Sequence, residues 1–320
     1  MKLFILICCL TIIIIFIVNY FWGNKISIQW EQNPSLPKGT AGHVMDFCGD
    51  AITIAGGTFW QDDIKIWDNE IIAFDPESDR WNIVSYLPEP AGYAVSASVD
   101  NSFYILGGIN DKIYHDKCYK ITKKSDIYTI SEITPMPQPR AYAGVSSDEN
   151  NIYIIGGKND NEKDNYFYPT FTYSIKDNSW SELAPIPDNN RIQSAAIKCN
   201  KTIYLFGGYY NGKNTDEAFS FLNNKWTKIK RMPFPVRGQA IAVYKDRFIF
   251  LFGGYTDQGF TNTVTIYDTV KNNYFKTTPL PYSIMGAKAV ITNNLILLSG
   301  GEDMPKHRSD FFYRGIIKNR

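Results

Sequence analysis

Histidine is scarce in this sequence, with three in 320 residues. His43, His115 and His307 lie far apart with no ligand spacing, so no histidine-based metal site is expected. Cysteine is sparse as well. Of five, Cys8 and Cys9 fall in an apolar N-terminus, which leaves Cys48, Cys118 and Cys199. An odd number at wide spacing builds no disulfide framework, and all three read as small buried side chains on strands. Excess charge is also missing. Lysine and arginine total 33 against 32 aspartates and glutamates. No Lys/Arg run is present to track a phosphate backbone, which excludes a general nucleic-acid binder. Neither a glycine-rich phosphate loop nor a Ser-His-Asp arrangement stands out. Apolar residues, by contrast, make up 44% of the chain, enough for a packed core and too much for intrinsic disorder.

Residues Leu3 to Trp22 are almost wholly apolar, with Lys2 before them and Lys25 after. As a helix they reach roughly 30 Å, enough to cross a bilayer core. The run ends Val18-Asn19-Tyr20-Phe21-Trp22 without a small-residue cleavage pattern, and Ile7 precedes Cys8 where a lipoprotein signal needs a small residue. An uncleaved anchor over residues 3–22 is expected, with Tyr20 and Trp22 at the interface. A signal peptide removed on export is the alternative. Residues 1–25 thus form an address segment. Residues 26–320 are expected in the periplasm or another extracytoplasmic space, held at the inner membrane.

Glycine carries the organisation of the rest. Twelve of the 23 glycines form six pairs, at Gly56-Gly57, Gly107-Gly108, Gly156-Gly157, Gly207-Gly208, Gly253-Gly254 and Gly300-Gly301. Successive pairs are 46 to 51 residues apart. Each ends a short β-branched or aromatic run, such as AITIAGG or FIFLFGG, that reads as a buried strand. A second marker keeps the same beat: Trp30, Trp81, Tyr128, Trp180, Trp226 and Tyr274 each begin a strand that runs into a proline turn. Phe74, Tyr173, Phe219 and Tyr267 stand seven residues before four of these. After each turn comes a small-residue strand, as in YAVSAS and QAIAVY.

One repeat therefore holds four strands, and the pattern resembles the kelch repeat, each copy of which forms one blade of a β-propeller. The resemblance implies an all-β fold, a single six-bladed kelch-type β-propeller over residues 26–320. Length alone would suggest two domains. The sixth repeat lacks its fourth strand, and the N-terminal stretch SIQWEQNPSLP is expected to supply it, sealing the ring and removing its open edge.

The small-residue strands are expected innermost, with the loops after the Gly-Gly pairs and after the proline turns sharing one face. The residues after the pairs are Thr58, Ile109, Lys158, Tyr209, Tyr255 and Glu302, and only the last is acidic. Its stretch, Gly301-Glu302-x-x-Pro305-x-x-Arg308-Ser309-Asp310, is similar to the G-E-x-x-P-G-x-R-T-D segment of bacterial sialic acid mutarotases. These N-acetylneuraminate epimerases are exported six-bladed kelch proteins. The segment's place in the final blade matches a cyclically permuted branch of that family. The resemblance implies that Glu302 and Arg308 are catalytic. Glu302 would shuttle the proton of the anomeric hydroxyl during ring opening, and Arg308 would bind the sugar's carboxylate. The implied partner is a small acidic sugar, with no cofactor. Lys306-His307 and Ser309 depart from the family's segment, which leaves a different acidic sugar open.

Arg140, Arg191 and Arg237 on proline turns, with His307 and Trp60, are further substrate-binding candidates. Trp60 and Trp67 read equally well as packing on a neighbouring loop. The S-x-D-x-G-x-x-W boxes of sialidases and the histidine, tyrosine and cysteine cluster of a propeller copper oxidase are absent. A kelch propeller that binds protein or glycan without catalysis is the competing expectation, because fold alone does not choose between them.

Overall fold

The computed structural model describes residues 26–160, 169–187 and 191–319. Residues 3–22, where the membrane segment is expected, lie outside that part. Among the described residues no helix is long and apolar enough to cross a membrane, and every regular element is a strand. Six four-stranded antiparallel sheets follow one another around an axis. Blade 1 runs Val44–Cys48, Ala51–Ala55, Glu70–Asp75 and Arg80–Tyr86 from axis to rim, and blades 2 to 5 repeat that order.

Blade 6 is composite. Lys288–Thr292, Leu295–Ser299 and Phe312–Asn319 come from one end of the chain and Ile26–Gln32 from the other. The N-terminal strand closes the ring as the repeat pattern requires, in antiparallel register from Ile26↔Asn319 to Gln32↔Tyr313. Ile26 and Ile28 are buried with Phe250, Ile266, Ile296 and Ile317. Blade 5 grips the same strand. The Thr278 hydroxyl accepts from the Ile28 N–H at 2.9 Å, and the Thr277 hydroxyl donates to the Ile26 carbonyl at 2.6 Å.

The rim aromatics account for the second beat of the sequence. Trp180 donates its indole N–H to the Thr134 carbonyl at 2.8 Å, and Trp226 donates to Ala184 at 2.9 Å. The Tyr274 hydroxyl donates to Lys230 at 2.8 Å. Each acceptor lies just past the outer strand of the preceding blade, so one ring packs on its own blade and latches the neighbour. Such a bond contributes about 1 kcal/mol. Cross-strand ring pairs such as Tyr173–Trp180, with centroids 5.1 Å apart, add roughly 0.5–1.5 kcal/mol. In blade 4 the cross-strand partner of Trp226 is Phe221, not Phe219. The hairpin there turns through only Asn223-Asn224, both at positive φ, which shifts the pairing by two residues.

The Gly-Gly pairs stitch the blades together. At every seam the second glycine donates its N–H to a carbonyl of the next blade: Gly57 to Ala91, Gly108 to Arg140, Gly157 to Arg191, Gly208 to Val236 and Gly254 to Ile284. The sixth bond, Gly301 to Thr40, crosses the ring closure. Packing inside its own blade leaves that glycine no room for a side chain. At Gly301, with φ of 105°, a Cβ would fall 2.6 Å from Ile284 Cγ1 and 2.8 Å from the Met285 carbonyl. Gly301→Ala is expected to cost at least about 2 kcal/mol through strain and clash combined. A urea midpoint indistinguishable from wild type would overturn that packing argument.

Candidate functional site

Small side chains on the inner strands, among them Ala97, Ser146, Ala196 and Ala242, leave an axial channel of about 420 Å³. On the loop face the channel opens into a well of about 280 Å³. Ala143, Ser194, Gln239, Ala287 and Lys288 line both, and so form the neck between them.

One position per blade shapes the wall of the well. It precedes each inner strand and is reached at positive φ: Gly42, Tyr93, Tyr142, Gln193, Gly238 and Gly286. Backbone bonds run from blade to blade along this wall. Tyr93 N–H donates to the Gly42 carbonyl, Tyr142 to Tyr93, Gln193 to Tyr142, Gly238 to Gln193 and Gly286 to Gly238. Three blades place glycine there. The other three hold Tyr93, Tyr142 and Gln193 at φ of 55°, 58° and 54°, a conformation that costs on the order of 1 kcal/mol for a residue with a Cβ. The strain coincides with the side chains that line the cavity. The Tyr93 and Tyr142 ring centroids are 4.4 Å apart. Burial, then Tyr93 and Tyr114, push the Tyr142 phenol far above the usual tyrosine range, and Arg308 pulls weakly the other way. Tyr142 therefore stays a neutral hydroxyl at physiological pH.

The stretch after Gly301 is a hairpin rather than an open loop. Glu302–Met304 pairs with His307–Arg308 across Pro305-Lys306, and Glu302 and Arg308 are direct cross-strand partners. An acid and a base six residues apart around a proline are thus brought side by side by the register. Glu302 lines the well, and its Oε2 lies 2.5 Å from Arg308 Nη1. Arg308 is 9% exposed, and its carbonyl packs against Gly39 of the closing segment. The carboxylate approaches off the N–H directions, so Arg308 Nε and Nη1 have a charge partner but no aligned acceptor. Comparable short hairpins stand at Thr58–Trp67, Tyr209–Asn214 and Tyr255–Phe260, where the sequence suggests plain loops.

The remaining candidates do not converge on the well. Arg140 and Arg191 are each 2% exposed. The Arg140 guanidinium lies 4.9 Å over Phe171, and Arg191 donates to Glu217 at 3.0 Å while stacked 5.0 Å from Phe219. The structure places both inside their own blades, away from the wall of the well. Arg237 is clamped between Tyr209 and Tyr255, 4.7 Å from each ring, and donates to Asn214 Oδ1 at 3.0 Å. It belongs to the loop face but not to the wall of the well. His307 sits on the exposed hairpin with Nδ1 2.5 Å from Asp303. Trp60 packs beneath Lys306 of the neighbouring hairpin, 5.5 Å from the ammonium. Lys306 also pairs with Asp63 at 3.1 Å, which ties the two hairpins together beside Trp60.

The wall residues that sequence reasoning missed are Tyr93, Tyr142, Gln193, Gln239 and Lys288. Aligned on the repeat, the first three are bulky where other blades carry glycine, and Lys288 is a lone charge at the start of an inner strand. That column was the available signal. Among the described residues no three His, Cys, Asp or Glu side chains cluster as metal ligands. Cys48, Cys118 and Cys199 are free and buried, and burial pushes the Cys118 thiol up to about 12.

Comparison with known proteins agrees with this architecture. The family described as the KLHDC2/KLHL20/DRC7 Kelch-repeats domain matches residues 143–318, which include the Glu302 hairpin. Kelch-like protein 26 of Danio rerio is 28% identical over 94 residues, 29% of this chain, and the alignment spans only 14% of that relative's length. With six four-stranded blades, a glycine pair at each seam and a family match over more than half of its length, the chain belongs to the kelch-repeat family.

Proposed function

We propose that this propeller is a recognition module and that its ligand, a small acidic sugar, sits in the well on the loop face. The observation that carries the proposal is convergence, since all six blades contribute to the wall of one polar cavity of about 280 Å³. That volume is near the lower end of small-molecule sites and suits a monosaccharide better than a folded partner. Kelch-repeat membership supports binding without chemistry. The apolar stretch at residues 3–22 supports an exported, membrane-tethered placement, where an externally supplied sugar would be met.

A second reading rests on Glu302. A carboxylate on the wall of the well beside a guanidinium has the groups that anomer exchange requires. Glu302 would take the proton of the anomeric hydroxyl, the ring oxygen would gain one as the ring opens, and reclosure on the other carbonyl face would give the second anomer. The similarity of the Glu302–Asp310 segment to sialic acid mutarotases favours the same chemistry. General acid–base action of this kind contributes about 10²–10⁴-fold.

One NMR experiment separates the readings, with sialidase-released α-N-acetylneuraminate as the probe. Saturation transfer to the sugar with no acceleration of anomer equilibration supports recognition alone. Acceleration by wild type that falls at least about 100-fold in Glu302→Gln replaces it with the mutarotase reading. If neither binding nor acceleration occurs, the acidic-sugar assignment is wrong.

A further inference from the structure

We propose that Lys288, at the neck of the well, takes the ligand's carboxylate, so that the sugar enters acid end first. This rests on the reading of the well as an acidic-sugar site. Among the described residues Lys288 is the only cation that lines the well. It opens the inner strand of blade 6, where the other blades begin with Val44, Val95, Gly144, Ala195 and Ala240. A lysine at that place in a ring of small residues carries its charge into a confined space. Among the described residues no acid or hydrogen-bond acceptor shifts its amine. Burial alone holds its amine down to about 8. An unpaired, partly desolvated ammonium at the end of a polar cavity gains most from an incoming anion.

Arg308 is placed differently. It does not line the well, and the Glu302 carboxylate already stands 2.5 Å from it. A ligand carboxylate directed at Arg308 would meet Glu302 first and be repelled. At the neck, the side chains beside Lys288 are uncharged, Ser194 and Gln239 with Ala143 and Ala287, and Asp46 and Lys198 line the channel beyond. Gln239 donates Nε2–H to the Gly253 carbonyl at 3.1 Å, which leaves its buried Oε1 without a partner. The Ser194 hydroxyl donates to the Gly207 carbonyl at 3.0 Å, so its lone pairs remain open. The adjoining His43 is 0% exposed and kept neutral by burial and by Lys288 itself. The arrangement divides the well: Lys288 holds the acid, and Glu302 with Tyr142 meets the opposite, hydroxyl-bearing end.

The test compares N-acetylneuraminate with its methyl ester by calorimetry on the full chain. Wild type is expected to bind the acid at least about tenfold more tightly than the ester. Lys288→Met should erase that preference by weakening the acid about 10- to 100-fold, with the ester changed less than about threefold. Lys288→Arg should restore most of it. Removing an unpaired buried charge does not endanger folding, and a urea melt confirms the fold of each variant. Wild-type affinity for the acid in Lys288→Met overturns the assignment of Lys288 and leaves the reading of the well intact. Failure of wild type to bind either compound overturns the reading of the well and this inference with it.

Discussion

Deleting Ile26–Gln32 is expected to abolish the cooperative fold of the ring. The strand forms a seven-residue ladder with Phe312–Asn319 and buries Ile26 and Ile28 against blades 5 and 6. Each buried isoleucine contributes roughly 1.5–3 kcal/mol, and each ladder hydrogen bond about 1 kcal/mol. Together these approach on the order of 10 kcal/mol, comparable with the whole stability of a typical domain, about 5–15 kcal/mol. The loss is also topological. Without the strand, Phe312–Asn319 becomes an open edge, and the grip of Thr277 and Thr278 on the closing strand disappears. The graded version is Ile28→Ala, with an expected cost of about 2–5 kcal/mol. Urea unfolding followed by circular dichroism measures both. A deletion variant with a wild-type midpoint and slope would falsify the closure argument, and a synthetic peptide of residues 26–32 added in trans should recover part of the transition.

Acid stability should turn on His43, just before the inner strand of blade 1, and Asp46 on it, two groups displaced in opposite directions. His43 is fully buried against Ser299, with Nε2 and Oγ 2.9 Å apart, and burial, then Lys288, hold its pKa down to about 3. Its unfolded value is about 6.5. Between those values the unfolded chain binds a proton that the native state refuses. His43 therefore removes stability as pH falls below about 6.5, by about 1.4 kcal/mol per unit. Asp46 works the other way. Burial pushes its carboxyl up to about 6, partly opposed by the N–H groups of Phe47 and Ser98. Between about 3.9 and 6 the native state holds the proton, so Asp46 adds stability as pH falls through that window. The two nearly cancel in wild type from about pH 6 to pH 4. His43→Gln should therefore gain about 2–3 kcal/mol relative to wild type between pH 7 and pH 4.5. Asp46→Asn should lose a similar amount over its narrower window. Urea midpoints across this range check both, and parallel pH profiles for wild type and His43→Gln would sink the argument.

The strands and their closure are legible in the sequence because every blade meets the same local demands. The second glycine of each pair lies against the turn before its own blade's inner strand, too close for a Cβ, while its N–H bonds to the next blade, so glycine recurs at Gly57, Gly108, Gly157, Gly208, Gly254 and Gly301. In four blades the rim aromatic, Trp81, Trp180, Trp226 or Tyr274, reaches a carbonyl of the preceding blade, which favours tryptophan or tyrosine on that beat. The site is less legible. Glu302 stands out as the one acid in a column of six, and its partner Arg308 is within hairpin reach. Arg140 and Arg191 share the column of the proline turns, yet both turn inward, against Phe171 and Phe219 on other strands and Glu217 just before one.

Repetition, with roughly constant spacing, was therefore enough to specify six blades, their order and the strand that seals them, because each repeats a short-range steric requirement. What meets at the axis was left to the folded ring. Tyr93, Tyr142, Gln193 and Lys288 come from four different blades and share a cavity only once the ring has closed. The inward turn of Arg140 and the place of Lys288 on the wall of the well are likewise matters of packing between segments far apart in the chain. A periodic sequence records what each blade needs from its neighbour, and only the closed circle brings the exceptions to one point.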